Sequence, residues 1–378
     1  MALQNIGDFS TPTPVAIGSR GTPNWGSTFL GDLINNERFK AAVYQEIYNQ
    51  FAFASSGIVA PDSSIDVSEG GISTTLPMVL PFEPFEEVIE SNDTWGSSGA
   101  GHLTPQKVNA KTMVFPVMHR GFLVGADKLA KLGSGIDPLG AAAQYLGAGL
   151  ASHKSATLIT MLNGFFASGG PLVANKLDVT RTGAGTSTDA NFLTASNVVK
   201  AKNKLGERKR TLRKIAMHTD LHSYLETIGM LTYASSNIAL GGAVILGAGG
   251  VNIQNTDVAY FAGMQVVIDD KLAPTIDAVN GDKYPVYLFA DGVVRMGTQE
   301  PLNIDYGYNL ESKQYMMSPD IHYSLGVYGL TYSGALGSPT NAVLGTAANW
   351  SLAYVDSNAA KMIPMVRLVV NCPLAVNP

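Results

Sequence analysis

The chain has 378 residues, 46% of them hydrophobic and only 15% charged, with a formal net charge of -5. That length exceeds one simple core and predicts two or more lobes. The acidic balance excludes a surface that is wholly a nucleic-acid platform, leaving room only for a local basic patch. A single cysteine, Cys372, excludes an internal disulfide framework and a multi-cysteine zinc site, and reads as a small buried hydrophobe.

Met1 to Thr13 has no basic region and no sustained apolar run, so it is no secretory signal. The best membrane candidate, Ile238 to Val251, is too short to span and carries five glycines. The sequence therefore predicts a soluble protein. Forty glycines with so little charge predict that much of its surface is covered by other protein. The leader from Met1 to Leu30 is polar and rich in Gly and Pro, and is expected to be retained and to lie on a partner or another copy.

Asn36 caps a predicted helix with Phe39, Val43, Ile47 and Phe51 on one face, ending near Ser55-Ser56-Gly57. Next, Ile65-Asp66-Val67 and Ile72 to Leu76 alternate like strand residues, and a return segment runs from Lys107 to Val124. Between them lies a broad tip with Pro81, Pro84 and the Gly/Ser-rich Trp95 to Gly101, too long for an ordinary turn. Its outgoing side holds Glu83, Glu86, Glu87, Glu90 and Asp93, and its returning side Lys107, Lys111 and Arg120. Segregated charge there is either a solvated loop or a contact arm that docks electrostatically, and the length of the projection favours the arm.

Ala126 to Leu132 reads as a short helix before a Gly-Ser-Gly turn. Asp137 then caps, with Pro138 at the first helical position, a helix running to Ser168. Leu139, Ala142, Leu146, Leu150, Leu158, Leu162 and Phe165 recur at helical spacing, and Ser168-Gly169-Gly170-Pro171 stops it. At 1.5 Å per residue it would be roughly 45 Å long, a spine rather than an ordinary core helix. Gly140, Gly147, Gly149 and Gly164 inside it each cost about 1 kcal/mol against alanine, which predicts close approach of other backbone.

After a polar connection from Ala167 to Asp189, Leu193 to Arg208 is predicted helical. A basic run follows its course: Lys200, Lys202, Lys204, Arg208, Lys209, Arg210, Arg213 and Lys214, opposed only by Glu207. Such a run is either a solvated helix end or a patch facing phosphate or another subunit. Its lack of interleaved aromatics argues against base stacking. Ile215 to His218 reads as a buried strand leading into a helix from Leu221 to Met230. Further strands are predicted at Gly263 to Asp270, Tyr284 to Ala290, Gly292 to Met296, Ile321 to Tyr332 and Met365 to Val370.

No motif for chemistry emerges. His218 and His222 have the spacing of a helical zinc pair, but Thr-Asp-Leu lies between them and no third ligand is apparent, so capping and packing are expected. Asp269-Asp270 reads as a strand-end cap rather than a cation site. Gly241-Gly242 and Gly247 to Gly250 lack the strand–turn–helix context of a phosphate cradle. No catalytic residue, metal ligand or cofactor site is assigned.

The order of parts resembles the major capsid proteins of tailed bacteriophages with the HK97-type fold, an α+β fold. The likeness is carried by Gly70 to Pro81, Leu103 to Lys107, Arg120 to Leu132, Asp137-Pro138, and the spine as far as Asn163-Gly164-Phe165-Phe166-Ala167-Ser168. Downstream it is carried by Ile215 to His218, Gln265 to Asp270, Ala290-Asp291-Gly292, Asn349-Trp350 and Arg367 to Asn371. The arm before Asn36 and the stretch from Val251 to Ala259 depart from that pattern.

The resemblance implies an amino-terminal arm and helix over 1–60, an extended E-loop hairpin over 61–124, and a peripheral domain over 125–192 with its spine at 137–168. It further implies a mainly axial domain over 193–340, and a return to the peripheral domain over 341–378. It implies self-assembly through hexamers and pentamers into an icosahedral shell enclosing double-stranded DNA, assembled in the host cytoplasm, with no membrane partner. A separate scaffolding protein, a portal and a decoration protein are the implied partners, and no covalent cross-link is expected. The acidic tip would meet basic residues of an adjacent copy, with Lys200 to Lys214 one candidate. The competing readings are an encapsulin-like cargo compartment and a strand-rich enzyme.

Overall fold

The computed structural model describes residues 51–66, 71–79, 110–127, 138–183, 185–233, 259–311, 314–354 and 358–375. The chain starts with a one-turn helix α1 (Ala52–Ser55), then β1 (Val59–Pro61). Asp62 next caps a 3-10 turn over Ser63–Ile65, its carboxylate accepting from the Ser64 amide at 3.0 Å. The alternation at Ile65-Asp66 predicted a strand here. The Asp62 cap supplies a local partner for the backbone, and the turn wins.

Strands β2 (Ser73–Val79) and β3 (Ala110–Gly121) pair antiparallel from Ser73 opposite Pro116 to Val79 opposite Ala110, which is the base of the predicted hairpin. Its tip lies outside the described residues, as do the predicted helix after Asn36 and Ile238 to Val251 with its glycines. β4 (Val124–Asp127) follows, so Ala126 and Asp127 open no helix: they pair with Tyr315 and Gln314. The spine is α2 (Pro138–Phe166), within two residues of its predicted bounds at both ends.

Beyond it come β5 (Lys176–Asp178), α3 (Ala195–Lys202), β6 (Lys214–Met217), α4 (Thr219–Thr227), β7 (Thr232–Tyr233), β8 (Ala259–Phe261), β9 (Met264–Ile268), β10 (Tyr284–Phe289), β11 (Val294–Asn309), β12 (Gln314–Val327), β13 (Leu330–Tyr332), α5 (Asn341–Leu344), β14 (Trp350–Leu352), α6 (Ala359–Met362) and β15 (Met365–Val370). Two sheets dominate, one in the order β5-β15-β10-β6-β9-β8-β7 and one in the order β1-β11-β12-β3-β2, with β4 on β12. β13 and β14 form a separate antiparallel pair.

The chain divides into two compact units. The first takes residues 1–57, 119–158 and 300–323. In it the first part of the spine buries Leu146, Leu150 and Leu158, as the helical spacing predicts. It also buries Lys154, whose ammonium sits 5.2 Å from the centre of the Tyr323 ring, and burial pushes that group down to about 8.

The second unit takes residues 58–118, 159–299 and 324–378. Its core lies on one face of the seven-stranded sheet, where Ile215, Met217, Val286, Leu288, Leu368 and Val370 meet Val198 and Ala201 of α3 and Leu221 and Leu225 of α4. Cys372 belongs to that core, buried as expected, and burial pushes its thiol up to about 11. The end of the spine serves Tyr287: Asn163 accepts from its hydroxyl at 2.9 Å and Phe166 lies 5.8 Å from its ring.

The same helix end seats Phe165 edge-on against Trp350 at 4.8 Å. Gly164 makes this possible, because a side-chain carbon there would come within 3.0 Å of the Gly345 carbonyl oxygen. Gly164 is thus the close approach that the helix glycines predicted. Gly149 is not one among the described residues: it is exposed, and a side-chain carbon there would meet nothing within 4 Å.

Candidate functional site

The basic run is built on α3 and the turns after it. Thr194 caps α3, its hydroxyl accepting from the Asn197 amide at 3.3 Å. Val198, Ala201 and Leu205 face the core, so Lys200 and Lys204 stand on exposed surface. The helix does not continue to Arg208 as predicted. Gly206 takes φ 59°, ψ -125°, a conformation closed to most side chains, and Asn203–Thr211 becomes a pair of 3-10 turns. The kink leaves Glu207, Arg208, Lys209 and Arg210 consecutively exposed.

The eight cations have different settings. Lys214 is buried on β6, with its ammonium 2.9 Å from the Asp291 carboxylate. Arg213 reaches the same carboxylate from an exposed position at 4.0 Å, a separation worth little in water. Lys202 is half-buried, donates to the Ala262 carbonyl at 3.3 Å, and has its pKa lowered by desolvation. Lys200 donates to Asn197 at 3.3 Å, Lys209 to Asn203 at 3.1 Å, and the Arg208 guanidinium to the Met362 carbonyl at 3.0 Å. These four bonds neutralise no charge. Lys204 and Arg210 are exposed, and no partner is recorded for them among the described residues. Two cations of the run therefore serve the fold, and the other six present charge to solvent.

Their predicted counterparts, Glu83, Glu86, Glu87, Glu90 and Asp93, lie outside the described residues. His218 behaves as a cap: it precedes α4 and its Nδ1 accepts from the Asp220 amide at 3.2 Å, whereas His222 lies within that helix. Asp269 likewise accepts from the Lys271 amide at 2.9 Å, and Asp270 accepts from the Thr219 hydroxyl. Among the described residues there is no cluster of three metal-ligating side chains, and no helix is long and apolar enough to cross a membrane.

One feature escaped sequence reasoning. In the second unit a groove of about 810 Å³ opens beside the hairpin base. Leu76 and Met78 of β2, Met113 of β3, Leu352 of β14, and Met362 and Ile363 at the end of α6 form its apolar walls, and Arg208 joins them. Tyr328 also lines it, donating to Asp62, while the Arg295 guanidinium lies 5.4 Å from its ring centre. The apolar alternation of β2 signals a half-buried strand. What it lies beside comes from the far end of the chain.

Residues 137–361 match the model of the Gp13-like family, described as major capsid protein 13-like, and they make up more than half of the chain. The chain belongs to the Gp13-like family of major capsid proteins. A relative, the major capsid protein of Bacillus phage SPP1, is 24% identical over 336 residues, covering 86% of this chain and 94% of its own length. Among solved structures, the capsid of Ralstonia phage GP4 superposes with a TM-score of 0.53 at 8% identity, over 85% of this chain and 88% of its own. The capsid asymmetric unit of cyanophage Pam1 gives 0.50 at 11%, over 86% and 93%. At such identities these two likenesses establish the fold alone, a mixed α+β, HK97-like capsid fold.

The family assignment makes this a structural protein of the phage head, resident in the virion capsid, and not an enzyme. The enzyme and cargo-compartment readings fall with it. Assembly of copies into a capsid lattice goes with the fold and family.

Proposed function

We propose that the chain builds an icosahedral head around double-stranded DNA through hexamers and pentamers. Residues 61–124 are then an E-loop over a neighbouring copy, 125–192 a peripheral domain braced by the spine at 137–168, 193–340 a mainly axial domain, and 341–378 a return to the peripheral domain. Residues 1–60 form an arm and helix, of which the leader from Met1 to Leu30 lies on a partner or another copy. A separate scaffolding protein and a portal serve the particle, which leaves room for a decoration or cement protein, and DNA is held by non-specific contact.

The observation that carries the contact itself is the exposed cationic turn. Six basic side chains, from Lys200 through Arg213, surround one acid on a surface that the fold does not need for its own core. An acidic projection from a neighbour, Glu83 to Asp93, supplies the complementary charge. Because exposed pairs are individually weak, the contact gains strength from number and from repetition around the shell.

The test is charge reversal. Glu86→Lys together with Glu87→Lys should cut particle yield, and adding Lys209→Glu with Arg210→Glu should restore part of it. Unchanged yield in the first pair, measured by sedimentation and electron microscopy, overturns the docking. Denaturing electrophoresis of particles should give a single monomer band, and a ladder of multimers would contradict the expectation of no cross-link.

A further inference from the structure

We infer that the groove beside the hairpin base receives Pro81 to Glu90 of a second copy, so that the E-loop contact has an apolar seat as well as a charged one. The inference rests on the docking reading above and names the place where the arm lands.

Three observations converge on it. The groove has apolar walls of Leu76, Met78, Met113, Leu352 and Ile363, and it opens to solvent rather than being closed by the chain's own core. Beside it, β2 is the last strand of its sheet among the described residues, and Val79 at its end is 61% exposed. Edge strands next to apolar pockets are the places where a second chain gains both main-chain hydrogen bonds and side-chain seats. Third, Arg208 lines the groove and is continuous in sequence with the exposed cations Lys209 and Arg210.

The occupant must therefore be both apolar and acidic. Pro81-Phe82-Glu83-Pro84-Phe85-Glu86-Glu87-Val88-Ile89-Glu90 combines two aromatics and two β-branched residues with four carboxylates and no basic residue. Phe82 and Phe85 can each bury far more area than a charged pair contributes, so the aromatics supply affinity and the glutamates set register against the cations. In contrast, the leader from Met1 to Leu30 holds a single acid, Asp8, and does not match the charge.

The test places a photoreactive benzophenone side chain at Phe85 of the full chain, and at Phe82 where the first label blocks assembly. Particles are assembled with unlabelled chains grown in heavy nitrogen, irradiated, and the adducts mapped by mass spectrometry. Benzophenone favours methionine, and the groove offers Met78, Met113 and Met362. Adducts at these methionines that join a light chain to a heavy one are expected. Light–heavy adducts elsewhere on the subunit would overturn the groove and leave the docking reading standing. Adducts confined to one chain would overturn both. A label at Phe9 that captures the groove methionines instead would assign the groove to the amino-terminal arm and likewise overturn the proposal. As an independent arm, Met78→Glu should lower particle yield at least tenfold while the unassembled subunit keeps its circular dichroism spectrum. Normal yield would contradict the proposal.

Discussion

Every residue of β10 is buried and β6 beside it is buried along its length, whereas β2 alternates between half-buried and exposed and ends on Val79, open to solvent. All three strands belong to the second compact unit. The seven-stranded sheet finds its core partners among the described residues of its own chain: α3 and α4 meet the residues on one side, and the end of the spine meets Tyr287. The hairpin base has a small cluster, Ile65, Met113, Phe115 and Ala353, with Leu76 and Met78 packed at its margin, and beyond them an open groove. If the hairpin base buries its remaining apolar surface when copies meet, as proposed above, assembly is driven by association rather than completed by folding.

Substitutions can break that contrast. The largest effect is expected in the sheet, where Leu288→Ala should cost about 2–5 kcal/mol and be read as a lowered denaturation midpoint of the unassembled subunit. Gly164→Leu should cost roughly 1–3 kcal/mol, because the added atoms meet the Gly345 backbone. Gly149→Ala goes the other way, gaining up to about 1 kcal/mol of helix propensity in the subunit, since nothing among the described residues approaches it. If another copy approaches there, Gly149→Leu will give folded subunits and no particles, and normal particles would remove that contact. Val79→Ser should change subunit stability by about 0.5 kcal/mol or less, yet lower particle yield. A Val79→Ser subunit as damaged as Leu288→Ala would erase the distinction between the regions.

Sequence reading succeeded where local signals and burial agree. Pro138 at the start and Ser168-Gly169-Gly170 at the end bound the spine, and the apolar runs at Ile215, Tyr284 and Met365 became β6, β10 and β15. It failed where a single residue redirects the backbone. Gly206 ends a helix that the pattern would have continued, and Asp62 turns an alternating stretch into a 3-10 cap. For the site, all eight cations could be read as a run, but not that Lys214 is itself buried and pairs with the exposed Asp291 while most of its neighbours face solvent. The groove was illegible for a different reason. Its walls come from β2, β3, β14 and α6, which only the tertiary fold brings together.

Hydrogen–deuterium exchange, compared between unassembled subunits and assembled particles, tests the division most directly. Added protection on assembly should concentrate in β2 and in the groove residues around Leu352 and Met362, with β6, β10 and β15 already protected in the free subunit. Protection that rises equally in the central sheet, or that leaves β2 unchanged in the particle, would contradict the account.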